Sequence, residues 1–273
     1  MSTEGMELAY LEENPDAKNT IFFIHGNSGS SFTWSKQLES QLFSDFRLIA
    51  FDLPAHGSSA ISSNPDIDYS PINLGKMIAE AVNSLASNQS YILTGFSFGT
   101  NIIGEMLFYD VKPVGIVLVS SCVISSVSDL QKVFLPNPNA NNFFNDFISL
   151  EDMDKLSLDC FYSRNSTELK KFKADFENTK IPFRSSLMKK ASEDAVRDEI
   201  ECLKKMDLFM LIIFGKEDKI VNVDYLDIIP LTIWGKTIYK LPGAGHFVHI
   251  DQSELLNQLI SDYVTEMFTA SHV

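Results

Sequence analysis

The stretch Tyr91-Ile92-Leu93-Thr94-Gly95-Phe96-Ser97-Phe98-Gly99 decides how this chain reads. Its first residues form a short apolar run rich in strand-forming side chains. An apolar helical pattern with Ile102, Ile103, Met106 and Leu107 follows it. A G-x-S-x-G at such a junction can form a nucleophile elbow, with Ser97 on a strained turn and glycines that let strand and helix pass closely. The pattern alone says little: with Gly and Ser each near 7% of residues, it arises by chance in about one chain of this length in ten. The strand–turn–helix context gives it weight.

Working outward, further runs of the same kind are Ile21–Ile24, Arg47–Phe51, Val114–Val119, Phe209–Phe214 and Thr237–Leu241. Each is too short for a helix, and most are apolar throughout rather than alternating. That is the signature of strands buried on both faces of a parallel sheet. A strand from about Met6 to Leu11 is expected to begin the sheet. Between the runs, Leu74, Ile78, Ala81, Val82 and Leu85 make one apolar helix face. Leu255, Leu256, Leu259, Ile260, Tyr263 and Val264 do the same near the end, with Asp251 and Glu254 read as that helix's capping box. Alternating strands and helices predict an α/β fold with crossover connections.

The rhythm breaks between Ile124 and about Asp207, where no convincing buried strand occurs. A polar loop, Pro136-Asn137-Pro138-Asn139-Ala140-Asn141-Asn142, is followed by helical patches carrying Phe143, Phe144, Phe147, Phe161, Phe172, Phe176 and Phe183. The expected organisation is a core of residues 1–123 and 208–273 with a mostly helical cap, 124–207, over the carboxyl edge of the sheet. The phenylalanines either line an apolar pocket or fasten the cap.

Composition bounds the function. The 273 residues carry a formal charge of −14, with a pI near 4.7. Nucleic acids and anionic membrane surfaces reward clustered Lys and Arg, so neither is expected as a partner. No run approaches 18 apolar residues and no basic-then-apolar leader opens the chain, so neither a transmembrane helix nor a signal peptide is expected. Cys122, Cys160 and Cys202 are too few and scattered for a disulfide framework or a zinc site. A cytoplasmic, metal-free chain needing no cofactor is predicted, as monomer or homodimer.

A serine nucleophile needs a base, and the base an orienting acid. His246 lies in Leu241-Pro242-Gly243-Ala244-Gly245-His246, just past a predicted strand, where sites of open α/β sheets gather. His249 competes with it; His272 lies in the tail. In Gly215-Lys216-Glu217-Asp218 the acid is Asp218, with Glu217 as the alternative. The order Ser97, Asp218, His246 is nucleophile, acid, base. Ile24-His25-Gly26-Asn27-Ser28-Gly29 follows the first strongly apolar run, and the main-chain N–H groups of Asn27 and Phe98 are the expected oxyanion donors. His25 and His56 read as braces of their loops.

These motifs, with Asp52-Leu53-Pro54-Ala55-His56-Gly57-Ser58, together resemble the α/β-hydrolase superfamily. The chain looks like its small capped esterases and is similar to acyl-homoserine lactonases of this fold. That resemblance implies a mostly parallel sheet with a helical cap, and acyl transfer from a small ester or lactone through an acyl-enzyme. It departs from the family pattern at Ala55, where glycine is usual. Carbon–carbon bond hydrolysis, haloperoxidase-like chemistry, small-peptide cleavage and ligand binding without turnover stay open. Tyr162 is a candidate for offering a hydroxyl to substrate.

Overall fold

A computed structural model describes residues 1–3, 6–87, 89–193 and 196–270. Seven strands form one sheet: β1 (Tyr10–Glu13), β2 (Thr20–Ile24), β3 (Arg47–Phe51), β4 (Tyr91–Phe96), β5 (Gly115–Val119), β6 (Met210–Gly215) and β7 (Tyr239–Leu241). Their order is β1-β3-β2-β4-β5-β6-β7, with β1 antiparallel and every other pairing parallel. In register, Phe22 faces Ile49 on one side and Leu93 on the other. Residues of β2, β4, β5 and β6 are buried throughout. Their unbroken apolar runs follow from helices covering both faces.

The N-terminal strand departs from expectation. It splits into Met6–Glu7, which pairs with Ser2–Thr3, and β1, which alone joins the main sheet. The break falls at Ala9, whose N–H is drawn to the Ser59 hydroxyl (2.8 Å). β7 begins only at Tyr239, because Gly235 and Lys236 turn with positive φ just before it.

Helix α1 (Pro71–Ala86) buries Leu74, Ile78, Ala81 and Val82 as its period requires, and Ser70 caps it at Asn73 N–H. α2 (Phe98–Met106) follows β4 directly. Between β5 and β6 no strand occurs among the described residues. The chain there forms α3 (Leu150–Cys160), α4 (Ser166–Asn178), α5 (Phe183–Ser192) and α6 (Glu199–Lys205), with short 3₁₀ turns before them. The phenylalanines of this insertion divide the work. Phe161 stacks on Phe247 (4.5 Å between centroids) and Phe183 meets His56 edge-on (4.3 Å), fastening insertion to sheet loops. Phe147 is exposed. The C-terminal region holds α7 (Val248–Asp251) and α8 (Ser253–Ala270). α8 buries Leu256, Ile260, Tyr263 and Val264, but Leu255 faces outward. No described helix is long and apolar enough to cross a membrane.

Candidate active site

Ser97 is the single residue between β4 and α2, with φ 50 and ψ −122. A non-glycine residue held there costs on the order of 1–3 kcal/mol, which only a rigid surround sustains. The flanking glycines supply that surround. A Cβ on Gly99 would lie 2.3 Å from the Ile24 carbonyl oxygen, and one on Gly95 would lie 2.7 Å from the Gly99 oxygen. Larger side chains would push the helix off the strand and lower the turn away from its neighbours.

Three strand ends converge at this turn. His246, beyond β7, places Nε2 2.9 Å from Ser97 Oγ, and its Nδ1 lies 2.8 Å from Asp218 Oδ2, beyond β6. Asp218 Oδ1 accepts the N–H groups of Ile220 (2.7 Å) and Val221 (3.0 Å). The carboxylate is therefore aimed by its own turn, with Oδ2 left for the imidazole. An Nδ1–H donated to Asp218 leaves the Nε2 lone pair facing the serine hydroxyl. His246 and Asp218 are both buried, and Ser120 Oγ donates to the His246 carbonyl (2.7 Å), fixing the loop from below.

Glu217, the alternative acid, is occupied elsewhere: its Oε2 accepts Gly243 N–H (2.9 Å) and Ala244 N–H (3.2 Å). His249, the alternative base, is fully buried against Trp34, Phe96 and Phe247, and its ring nitrogens have no protein partner among the described residues. Burial, then the neighbouring His246 charge, pushes its pKa down to about 3. His272 lies outside the described residues.

Asn27 and Phe98 border the same cavity as Ser97 and His246, and among the described residues their main-chain N–H groups have no protein acceptor. The Asn27 side chain is pinned, with Nδ2 donating to the Phe143 carbonyl (2.7 Å) and Oδ1 accepting the Ser28 hydroxyl (3.0 Å). His25 and His56 brace this loop. His25 Nδ1 donates to Gly26 O (2.7 Å) while Nε2 accepts Leu53 N–H (2.9 Å). His56 Nδ1 donates to Pro54 O (2.9 Å) and its Nε2 accepts Ser28 N–H (3.1 Å). Burial lowers the pKa of both, so each is a neutral link between two loops. Ala55 takes φ 67, a left-handed conformation that explains why glycine suits this place.

The cavity above Ser97 is small, about 50 Å³, and shares lining residues with a larger one of about 600 Å³. Phe98, Phe134, Phe144 and Leu187 border both, so the insertion and the elbow together enclose a mostly apolar space. Two residues of its wall have no site role in the sequence reading. Cys122 Sγ lies 3.8 Å from Ser97 Oγ, and burial raises its thiol pKa, leaving it neutral. Asn101, one helical turn beyond Ser97, donates to the Cys122 carbonyl (2.7 Å). Their signal was position alone: four residues past the elbow serine, and three past a strand end.

Two expectations change. Asp251 does not cap the last helix. Its carboxylate instead accepts N–H groups of Gly245 (2.9 Å), Tyr162 (2.8 Å) and Ser163 (3.0 Å), tying the His246 loop to the insertion. Tyr162 is held there by its main chain. Its ring is half-exposed beside Gly243 and borders neither cavity next to Ser97. Among the described residues no group of three or more His, Cys, Asp or Glu is placed to hold a metal ion.

The sequence pattern of the alpha/beta hydrolase family matches residues 21–259. The chain belongs to that family. Among relatives, the uncharacterized hydrolase YugF of Bacillus subtilis (strain 168) is 25% identical, over 96% of each chain. The bifunctional esterase/perhydrolase DCH of Acinetobacter calcoaceticus is also 25% identical, over 93% of this chain and 95% of its own. The alpha/beta hydrolase architecture aligns with a crystal structure of a mutant N-acyl homoserine lactonase AidH bound to N-hexanoyl homoserine lactone. The TM-score is 0.88 at 18% identity, covering 98% of this chain and 97% of the other. Such a likeness shows the alpha/beta hydrolase fold.

Proposed function

We propose that this protein hydrolyses carboxylic esters or lactones of small molecules through a Ser97 acyl-enzyme. The observation that carries the reading is the hydrogen-bonded line Ser97–His246–Asp218 facing an apolar cavity. In the first half-reaction His246 Nε2 takes the Ser97 proton as Oγ attacks the substrate carbonyl. The Asn27 and Phe98 N–H groups hold the developing oxyanion, each contributing about 3–4 kcal/mol to lowering the barrier. His246 then returns the proton to the leaving alcohol as the tetrahedral intermediate collapses. In the second half-reaction it takes a proton from water, which attacks the acyl-enzyme and releases the acid. Asp218 holds the imidazole in the required tautomer and stabilises its charged form. No metal or organic cofactor enters these steps.

In this reading residues 124–207 act as a cap over a core of 1–123 and 208–273, supplying Phe134, Phe143, Phe144 and Leu187 to the acyl side of the site. The names of the relatives support an ester or lactone substrate, and three free cysteines suit a reducing cytoplasm.

The test is a fluorophosphonate probe on the folded wild type and on Ser97→Ala, with initial rates on nitrophenyl esters from acetate to decanoate and on homoserine lactones of matched acyl chains. Labelling at Ser97 and loss of several orders of magnitude in rate on Ser97→Ala are expected. Folded wild type that neither labels nor hydrolyses any member of the panel overturns the enzyme reading. Higher kcat/KM on lactones than on esters assigns lactonase activity.

A further inference from the structure

The turn that carries the Asn27 N–H is strained and held from two sides. Gly29 N–H donates to Gly26 O (3.2 Å), closing a turn with Asn27 and Ser28 at its centre. Ser28 takes φ 59 there, a left-handed value that glycine suits and serine resists. The turn lies against the elbow: a Cβ added to Gly26 would meet the Ser97 Cβ at 3.0 Å. Such a turn keeps its shape only where its surroundings over-determine it.

From the core, His25 Nδ1 donates to Gly26 O (2.7 Å) and His56 Nε2 accepts Ser28 N–H (3.1 Å). The side chains at the centre of the turn are held from the insertion. Arg184, in α5, is buried, and its Nη1 donates to Ser28 Oγ (3.2 Å). A guanidinium donates and never accepts, so the serine oxygen must accept here. The Ser28 hydroxyl hydrogen is then free for Asn27, whose Oδ1 accepts it (3.0 Å). That orientation turns the Asn27 amide nitrogen outward, and Nδ2 donates to Phe143 O (2.7 Å). The polarity imposed by Arg184 thus runs through Ser28 and Asn27 to Phe143, along a chain that begins and ends in the insertion.

Arg184 is itself locked. Nε donates to Asn145 O (2.7 Å), Nη1 also to Phe176 O (2.9 Å) and Nη2 to Asp146 O (3.1 Å). The guanidinium lies 4.1 Å from the centre of the Phe176 ring. Among the described residues it forms no ion pair. A buried cation is costly to keep without a counter-charge. Here it faces neutral carbonyls and one hydroxyl, an arrangement that supplies direction rather than ion-pair strength.

We infer that Arg184 is a positioning residue: through Ser28 it fixes the turn that aims the Asn27 N–H at the oxyanion, so this donor is in place only while the insertion is docked on the core. Arg184 touches neither the substrate nor the reacting atoms. The inference rests on the proposed ester hydrolysis, which gives the Asn27 N–H its oxyanion.

Arg184→Met and Ser28→Ala cut the chain at its start and its middle. Each is expected to lower kcat on nitrophenyl acetate about ten- to thirtyfold, short of the loss that follows removal of an oxyanion donor. KM should stay within about twofold, because the interaction is made only in the transition state. Ser28→Ala leaves Arg184 its bonds to Asn145, Asp146 and Phe176, so it carries the test alone if Arg184→Met does not fold. A trifluoromethyl ketone, which adds to the Ser97 hydroxyl and sets an oxyanion in the same place, gives a readout that looser packing does not move. Its inhibition constant is expected to rise in step with the fall in kcat, while that of the plain methyl ketone of the same skeleton stays within about twofold. The double variant should lose no more than the larger single loss, because both substitutions cut one chain. If wild type turns over the ester and takes the trifluoromethyl ketone, and the folded variants do so equally well, the inference falls and the hydrolase reading stands. Losses that multiply in the double variant also overturn it. Wild type that neither turns over the ester nor takes the ketone removes the hydrolase reading and this inference with it.

Discussion

Glu217 and Asp218 are chain neighbours whose carboxylates hold two parts of one loop: Asp218 Oδ2 meets His246 Nδ1 at 2.8 Å, while Glu217 Oε2 accepts Gly243 N–H at 2.9 Å. One acid faces the imidazole and the other holds the backbone that carries it. Consecutive residues of a tight turn point in different directions, and this turn uses both.

The two substitutions should therefore separate cleanly. Asp218→Asn is expected to lower kcat about a thousandfold or more, because the amide favours the wrong imidazole tautomer. Glu217→Gln keeps one acceptor for the loop and should stay within about tenfold of wild type. Steady-state rates on one nitrophenyl ester measure both; the reverse ranking would move the orienting acid to Glu217.

Asp251 gathers three N–H groups from two segments far apart in sequence, Gly245 on one side and Tyr162 and Ser163 on the other. Asp251→Asn replaces one acceptor oxygen with a donor and strands at least one N–H, at a cost of about 1–3 kcal/mol. A lower Tm is expected, with kcat down about tenfold and KM for a short ester nearly unchanged, since the loop presents His246 rather than touching substrate. A change confined to KM would refute this role.

His249 gives stability a pH dependence of known sign. Unfolded, its pKa is about 6.5; folded, it is about 3, so the unfolded state binds the extra proton between those values. The stability it permits is complete above pH 6.5 and is lost as pH falls toward 3. His249→Phe should match wild type within about 1 kcal/mol at pH 8 and exceed it by about 2 kcal/mol at pH 5, from 1.5 pH units at 1.36 kcal/mol each. Urea unfolding at the two pH values checks this, and an equal difference at both would exclude it.

Asp175 works in the opposite direction. Its carboxyl, hydrogen-bonded to Ser30 Oγ (3.0 Å), has a pKa of about 6, raised chiefly by burial and further by the charge of Asp52. The folded state keeps a proton that the unfolded chain releases near pH 4, so this contribution is complete at low pH and is lost as pH rises to 6. Asp175→Asn should leave Tm unchanged near pH 4 and raise it by a few degrees above pH 6. A Tm difference independent of pH would show that Asp175 does not titrate in this range.

Local patterns in the sequence are enough to find the strands and the turn that carries Ser97. Strands buried on both faces must be apolar throughout, so β2, β4, β5 and β6 could be read directly from composition. The elbow was equally legible, because a serine held at φ 50 between a strand and a helix needs its glycines at fixed spacing. The order of Ser97, Asp218 and His246 follows the same local logic, each lying in the loop that leaves one of three strands.

Only the fold could decide what depends on residues far apart in sequence. Asp251 reads as a helix cap from its neighbours, yet its carboxylate answers to Tyr162 and Ser163, nearly ninety positions away. Tyr162 looks available for chemistry in the sequence and is turned to solvent by that same contact. Glu199 and Asn101, separated by 98 positions, become a bonded pair in the wall of a cavity only when the insertion folds back over the elbow helix. Short-range propensity fixes which segments form strands and helices, because it is set by each residue and its near neighbours. Burial, protonation and the direction a side chain faces are set by whatever packs against it, and in a parallel sheet with an insertion those partners come from distant parts of the chain.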